Sequence, residues 1–304
     1  MATVIGSMSV AENYQKAAKF GATYGDPINP ALGGCLTELD FDTINAGAVQ
    51  IFYESPLTAS DPAAAPADYS GSAAANSLVT IPMNNFFSDL KKMYGAQLSS
   101  VPYDKGLAEL DKLANKGARQ NGRTEIACLI TEGTAQGYTL AGTETDEQKL
   151  EIQYKAIQKA IDNMRGYACF PKMAIVSPEM YGYIVRTAGA ALKSDEANKR
   201  LIGYEVGYYN GIWWVMTPML GSHASGAYKY YNSASSLVTV AEATVQSVPA
   251  ILIDGEFFVS IERITGYGLV PGEPVFNGVG AVYDNMLGVK LLDAHAAYVV
   301  RPNA

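Results

Sequence analysis

The stretch PLTASDPAAAPADYSGSAAAN, residues 56–76, limits what this chain can fold into more than any other. It is built almost entirely of Ala, Pro, Ser, Gly and Asp, which bury little apolar surface, so it cannot form part of a core. It sits between AVQIFYES and SLVTIPMNNFF, two segments with the β-branched and aromatic residues of strands. Two strands around a long small-residue tip describe an arm that projects from a body over residues 46–87. Such an arm is expected to gain order only against a neighbour. The preceding residues, 1–45, are weakly periodic and include the turn-rich GDPINPALGG, which reads as an extended arm.

The charges change sign across this region. No lysine or arginine occurs from Phe20 to Leu90, while the span holds Asp26, Glu38, Asp40, Asp42, Glu54, Asp61, Asp68 and Asp89. Lys91, Lys92, Lys105, Lys112, Lys116, Arg119 and Arg123 follow. Either half alone reads as a solvated face. The reversal along one chain points to copies that meet acidic arm against basic body. Asp40, Asp42, Glu54, Asp61 and Asp68, facing Lys105, Lys112, Lys116, Arg119 and Arg123, are therefore the candidate assembly residues.

The rest of the chain is long enough, at 304 residues, for one large domain or two medium ones with a real core. Residues 103–131 carry Leu107, Leu110, Ala114, Ala118 and Ile126 near one helical face, although Gly106, Gly117 and Gly122 weaken that helix. A second helix opens with Thr145 and Gln148 as a capping box and repeats Leu150, Tyr154, Ile157, Ile161 and Met164 on one face, with Gly166 at its end. A strand, KMAIV, and a third helix follow. Asn210-Gly211 marks a hairpin, and residues 237–300 read as strands broken by Gly and Pro turns. Helices and strands mix without regular βαβ alternation, so the expected class is α+β.

No motif for a reaction centre emerges. Ser177, between an apolar strand and a helix, sits where a hydrolase nucleophile would. Its neighbours are Val176 and Pro178 rather than small residues, and Pro178 has no N–H for an oxyanion hole. Ser-Pro-Glu fits a helix start at every position: N-cap, first turn and dipole partner. His223 lies in GSHASG with no acidic residue nearby in sequence, and His295 lies two residues from Asp293, with which it would share a strand face. Neither belongs to a ligand-spaced cluster. GVGAV at 278–282 lacks the third glycine and the helix of a dinucleotide site. Cys35, Cys128 and Cys169 imply no disulfide framework or zinc site. Trp213 and Trp214 would face opposite sides of a strand, one in the core and the other in the core, at an interface or as a carbohydrate platform, and both join the candidate assembly residues. Twenty tyrosines also fit a protein rich in interfaces. A net charge of −8 argues against grip on nucleic-acid phosphates. MATVIGSMSVAENYQK is no secretory signal, and no apolar run spans a bilayer. The expectation is a cytosolic, non-enzymatic protein with no cofactor and no metal.

The order of elements resembles the major capsid proteins of tailed bacteriophages, which have the Hong Kong 97 (HK-97) type fold. The stretch PKMAIVSPEMYGYIVRTAG…RLIGYEVGYYNGIWWVMTP is similar to that family's strand, Pro-initiated helix and glycine-led returning hairpin, and GVKLLDAHAAYVV to its terminal strand. The likeness covers nearly the whole chain in order. It implies an N-arm at 1–45, an E-loop at 46–87, a P-domain at 88–134 and 245–289 with a spine helix, and an A-domain at 135–244 and 290–304. It implies self-assembly through pentamers and hexamers into an icosahedral shell around double-stranded phage DNA. Each E-loop would lie over a neighbour's P-domain. Portal, scaffolding and decoration proteins are the implied partners, with no membrane. The implied location is the virion capsid, assembled in the bacterial host cytoplasm. An encapsulin-like nanocompartment shares the fold, and an enzyme or carbohydrate-binding protein with an unrecognised site is the remaining alternative. Some members of the family join an E-loop lysine to a neighbour's asparagine; with no lysine between Lys19 and Lys91, that bond is not expected here.

Overall fold

The computed structural model describes residues 48–54, 76–94, 104–194, 205–271 and 278–303. The expected N-arm and the small-residue tip lie outside them. The arm's stem is the expected hairpin: β1 (Ala48–Glu54) pairs antiparallel with β2 (Asn76–Pro82), Ala48 opposite Pro82 and Glu54 opposite Asn76. The segment expected as a single strand over 77–87 is two strands. It breaks after Pro82, which has no N–H for a ladder, and β3 (Asn85–Tyr94) joins a different sheet.

The long helix forms as expected, as α1 (Asp104–Glu132). Leu110, Leu113, Ala114 and Ala118 make its buried stripe, and residues 124–130 are all buried, so its second half runs through the core. Gly117 has a packing reason: a Cβ there would lie 2.3 Å from Cε1 of Tyr283, whose ring rests on the helix. Gly117→Ala is therefore expected to destabilise by about 1–3 kcal/mol through overpacking, despite alanine's better helix propensity. A thermal melt of the variant checks the sign.

After β4 (Thr134–Tyr138) comes α2 (Asp146–Gly166), with both bonds of the capping box made. Ala156, Ile157, Ala160, Ile161 and Met164 are its buried face, with Leu150 and Tyr154 partly buried beside them. Gly166 is the last helical residue rather than the left-handed stop; that conformation falls to Ala168, φ 58°. β5 (Met173–Val176), α3 (Pro178–Ala188), β6 (Lys193–Ser194), β7 (Val206–Tyr209) and β8 (Ile212–Met216) follow. Asn210 and Gly211 both take positive φ, 54° and 81°, in the two-residue turn that joins β7 to β8. A hairpin of β9 (Tyr228–Tyr231) and β10 (Leu237–Val240) packs on α1. The chain ends with α4 (Glu242–Gln246), β11 (Ala250–Ile253), β12 (Phe258–Pro271), β13 (Gly278–Leu291) and β14 (Ala297–Pro302).

Two sheets organise these elements. A seven-stranded mixed sheet runs β4-β14-β11-β5-β8-β7-β6. β5 and β11 are buried at every residue, and α2 and α3 pack against the sheet. A three-stranded antiparallel sheet runs β12-β13-β3, with α1 on one face. This mixture is the expected α+β class. The boundary drawn at residue 245 needs correction, because β11 pairs with β14 and β5 inside the seven-stranded sheet. Strand pairing moves the change of sheet to the turn between β11 and β12.

Candidate assembly surface

Alternation along β3 and β13 divides the three-stranded sheet into two unlike faces. Ala281, Tyr283, Asn285 and Leu287 are buried, and the ring of Tyr283 lies 6.0 Å from that of Phe87. Glu262 organises polar groups at the helix: Nδ2 of Asn121 donates to its Oε1 at 2.8 Å, Nδ2 of Asn285 at 2.7 Å and the Tyr283 hydroxyl at 3.1 Å. At the end of α1, Glu132 accepts from Lys290 Nζ at 3.0 Å, from the Leu291 N–H at 3.2 Å and from the Tyr230 hydroxyl at 3.3 Å. Body helix and sheet are thus joined by packing and by charge-assisted bonds.

Among the described residues, the other face carries no helix. Phe86 stands opposite Met286, Ser88 opposite Asp284 and Leu90 opposite Val282. Phe86 is 67% exposed and Leu90 43%, high values for large apolar residues side by side on a regular strand. One end of this face is covered from within the chain. Ile81 and Met83, at the root of the arm, are buried over Gly288, where a Cβ would lie 2.8 Å from Met83 Sδ. Phe86 and Leu90 are not among the expected assembly residues, although the alternation in NFFSDLKK places them on one face.

The residues expected at copy-to-copy contacts are scattered. Asp40, Asp42, Asp61 and Asp68 lie outside the described residues; Glu54 ends β1 and Lys105 opens α1, with neither side chain described. Lys112 pairs with Glu109 at 2.6 Å, and Lys116 with Asp89, so two of the basic residues meet acids of their own chain. Arg119 is exposed, and Arg123 lies half-buried over the ring of Tyr228, 5.3 Å from its centroid. The hydrogen bond from Lys116 holds the Asp89 carboxyl below its ordinary value of 3.8. A depressed folded value stabilises above the unfolded one and is lost as pH falls through the folded one, so the contribution of this pair fades below the ordinary carboxylate range. Being largely solvated, it contributes at most about 1 kcal/mol. Of the two tryptophans expected at contacts, Trp214 is instead fully buried in the core, its Nε1 donating to the Tyr209 carbonyl at 3.1 Å, while Trp213 is half-buried against Tyr208 with centroids 4.7 Å apart.

The enzyme-like positions resolve as structure. Ser177 caps α3, accepting from the Met180 N–H at 3.3 Å, with Pro178 in the first turn. Ser177→Ala is expected to lower stability by about 0.5–2 kcal/mol, the usual cost of a lost N-cap, measurable by urea titration. His223 does have an acidic neighbour, which sequence distance concealed: its Nε2 lies 3.9 Å from Oε1 of Glu179, on α3. The Ser222 hydroxyl donates to that carboxylate, the reverse of a serine activated by histidine. Burial alone would raise the Glu179 carboxyl, but hydrogen bonds from Ser222 and the local backbone hold it below the ordinary value. Glu179 and Ser222 border a groove of about 380 Å³ that also takes in Tyr138, Lys149, Gln153 and Gln246. Asp293 and His295 sit in a short 3-10 turn rather than on one strand face. The bond between them runs from the His295 backbone N–H to Asp293 at 2.8 Å, and the imidazole stacks on Tyr167 at 3.8 Å. Burial pushes the Cys169 thiol up to about 11 and the Cys128 thiol well above its ordinary value, so both stay protonated and unreactive.

No family model and no curated protein sequence matches the chain. Solved structures do. The chain is similar to the asymmetric unit of the bacteriophage PhiM1 mature capsid, at 14% identity over 85% of this chain and 82% of that one, with a TM-score of 0.54. It is similar to the capsid of cyanophage P-SCSP1u at 14% identity, over 85% and 84%, with a TM-score of 0.53. It is also similar to a virus-like particle from Pyrococcus furiosus at 11% identity, over 97% and 100%, with a TM-score of 0.51. At such identities the likeness is one of architecture, and the architecture of this chain is the HK-97-type coat fold.

Proposed function

We propose that this chain is the repeating subunit of a closed icosahedral shell, the major capsid protein of a tailed-phage head. The observation that carries the reading is an architecture matched to phage capsids over 85% of the chain. In this reading 1–45 is the N-arm, and the E-loop, drawn at 46–87, stops at Asn84, because β3 joins the three-stranded sheet from Asn85. The α1 and three-stranded-sheet unit is the P-domain, and the seven-stranded-sheet unit is the A-domain. Subunits assemble through pentamers and hexamers in the bacterial host cytoplasm and enclose double-stranded DNA without reading its sequence. Portal and scaffolding proteins, and decoration proteins where the shell carries them, are the partners. The exposed Phe86 and Leu90 support this role, since they are what a neighbouring copy would bury. Analytical ultracentrifugation of the full chain at high concentration tests the reading: pentamers, hexamers or larger species are expected, and a strict monomer contradicts it.

The shell of this reading is held without covalent links, because no lysine stands between Lys19 and Lys91 to supply an isopeptide bond. Particles boiled in detergent are expected to run as one band near the chain mass, and a ladder of oligomers would contradict this. A nanocompartment shell is the second reading, favoured by the match across the full length of the Pyrococcus furiosus particle subunit. A terminase or portal gene beside this one supports the phage head; a peroxidase or ferritin-like gene supports the compartment.

A further inference from the structure

We propose that Asn84 and Asn85 are a lock that fixes the direction in which the β1–β2 arm leaves the body, and that the β9–β10 turn is the part that holds it. The proposal deepens the shell reading, since the arm it aims is the one that reading places over a second copy. Only Met83 and Asn84 separate β2 from β3, so the arm's direction depends on a few bonds at this point. The Asn85 side chain uses both ends of its amide: Oδ1 accepts from the Tyr231 N–H at 2.8 Å, and Nδ2 donates to the Leu287 carbonyl at 2.9 Å. One side chain thereby joins the root of the arm to β9 and to β13. Asn84 adds a third tie, Nδ2 donating to Ser235 Oγ at 2.9 Å.

The turn that receives this tie is shaped in advance. Ser235 takes φ 56°, a left-handed conformation unfavourable for any residue with a Cβ. Asn232 holds it there, its Oδ1 accepting from the Ala234 and Ser236 N–H groups at 3.0 Å each, and its carbonyl from the Ser235 N–H at 2.9 Å. Strain kept by surrounding bonds at an exposed turn marks a place where the conformation is used. On the opposite side Met83 is seated over Gly288. The root is thus gripped between an apolar seat and a polar lock. β9, which supplies one partner, packs on α1, so the lock refers the arm to the rigid body. Fixing the arm before contact lowers the ordering cost of association. In a head-to-tail contact the arm's angle also decides whether rings and shells close at one size.

Spin labels on the full chain measure the direction itself. Cys35→Ser leaves Cys128 and Cys169, both buried, as the native cysteines, and labels go at Glu54→Cys on the arm and Lys159→Cys on the exposed side of α2. Dissociated subunits of the parent are expected to give one narrow distance distribution. Asn84→Ala and Ser235→Ala should each broaden it at least about twofold, and together no further, because both remove the same bond. Asn85→Ala should broaden it more, and speed exchange of the Tyr231 amide roughly fivefold, the equivalent of one neutral hydrogen bond. Assembled variants should then spread over several particle diameters while melting close to the parent. Distributions unchanged from the parent, or a parent already broad, would overturn the lock. A narrow parent broadened by the variants, but forming no particles, would keep the lock and refute the shell.

Discussion

Replacing Phe86 and Leu90 together with glutamate is expected to leave a folded subunit that no longer closes into the proposed shell. Both side chains are already exposed in the single chain, at 67% and 43%, and neither is part of a core cluster. Exposed substitutions of this kind usually change stability by less than about 0.5 kcal/mol. In an assembled contact the same carboxylates would be taken out of water without partners, at a cost of several kcal/mol each. That penalty recurs at every copy. Circular dichroism should show a melting temperature close to the parent's, while gel filtration shows no particle peak. Intact shells from the doubly substituted chain would remove this face from the contact.

Trp214→Ala has the largest expected effect on the fold itself. Trp214 lies on β8, between β5 and β7, and is fully buried. Truncating a buried tryptophan costs about 3–5 kcal/mol, and the Tyr209 carbonyl also loses its donor. Against a typical total of about 5–15 kcal/mol, that is enough to leave much of the chain unfolded at moderate temperature. Trp213→Ala, one residue away on the half-buried face, should cost about 1 kcal/mol, the loss of one aromatic pair with Tyr208. Urea titrations of the two variants compare them directly. Equal costs would mean that the two indoles do not alternate between core and surface.

What could be read without coordinates was local. The capping box at Thr145, the cap at Ser177 and the Asn210-Gly211 turn each depend on residues within three or four positions of one another, and all three are present. The position of β11 was not readable that way. AILI is equally apolar in either sheet, and only its pairing with Met173–Val176 and Ala297–Val300 decides the matter. Gly117 looked like a weakness in a helix because the ring that needs its space, Tyr283, stands far along the chain. His223 and Glu179 are likewise separated in sequence and adjacent in space. The candidate surface was legible only in part. The change of charge sign drew the eye to Lys112 and Lys116, which pair within the chain, while the exposed apolar residues Phe86 and Leu90 lay among the strand residues just before them.

Negative-stain imaging of the full chain, purified from a bacterial cytoplasm after expression alone and together with the genes that flank its own, tests the central claim most directly. Closed particles of uniform diameter, built from five- and six-membered rings, are the expected result. A field of single subunits at high concentration under both conditions would contradict the assignment of this fold to a shell.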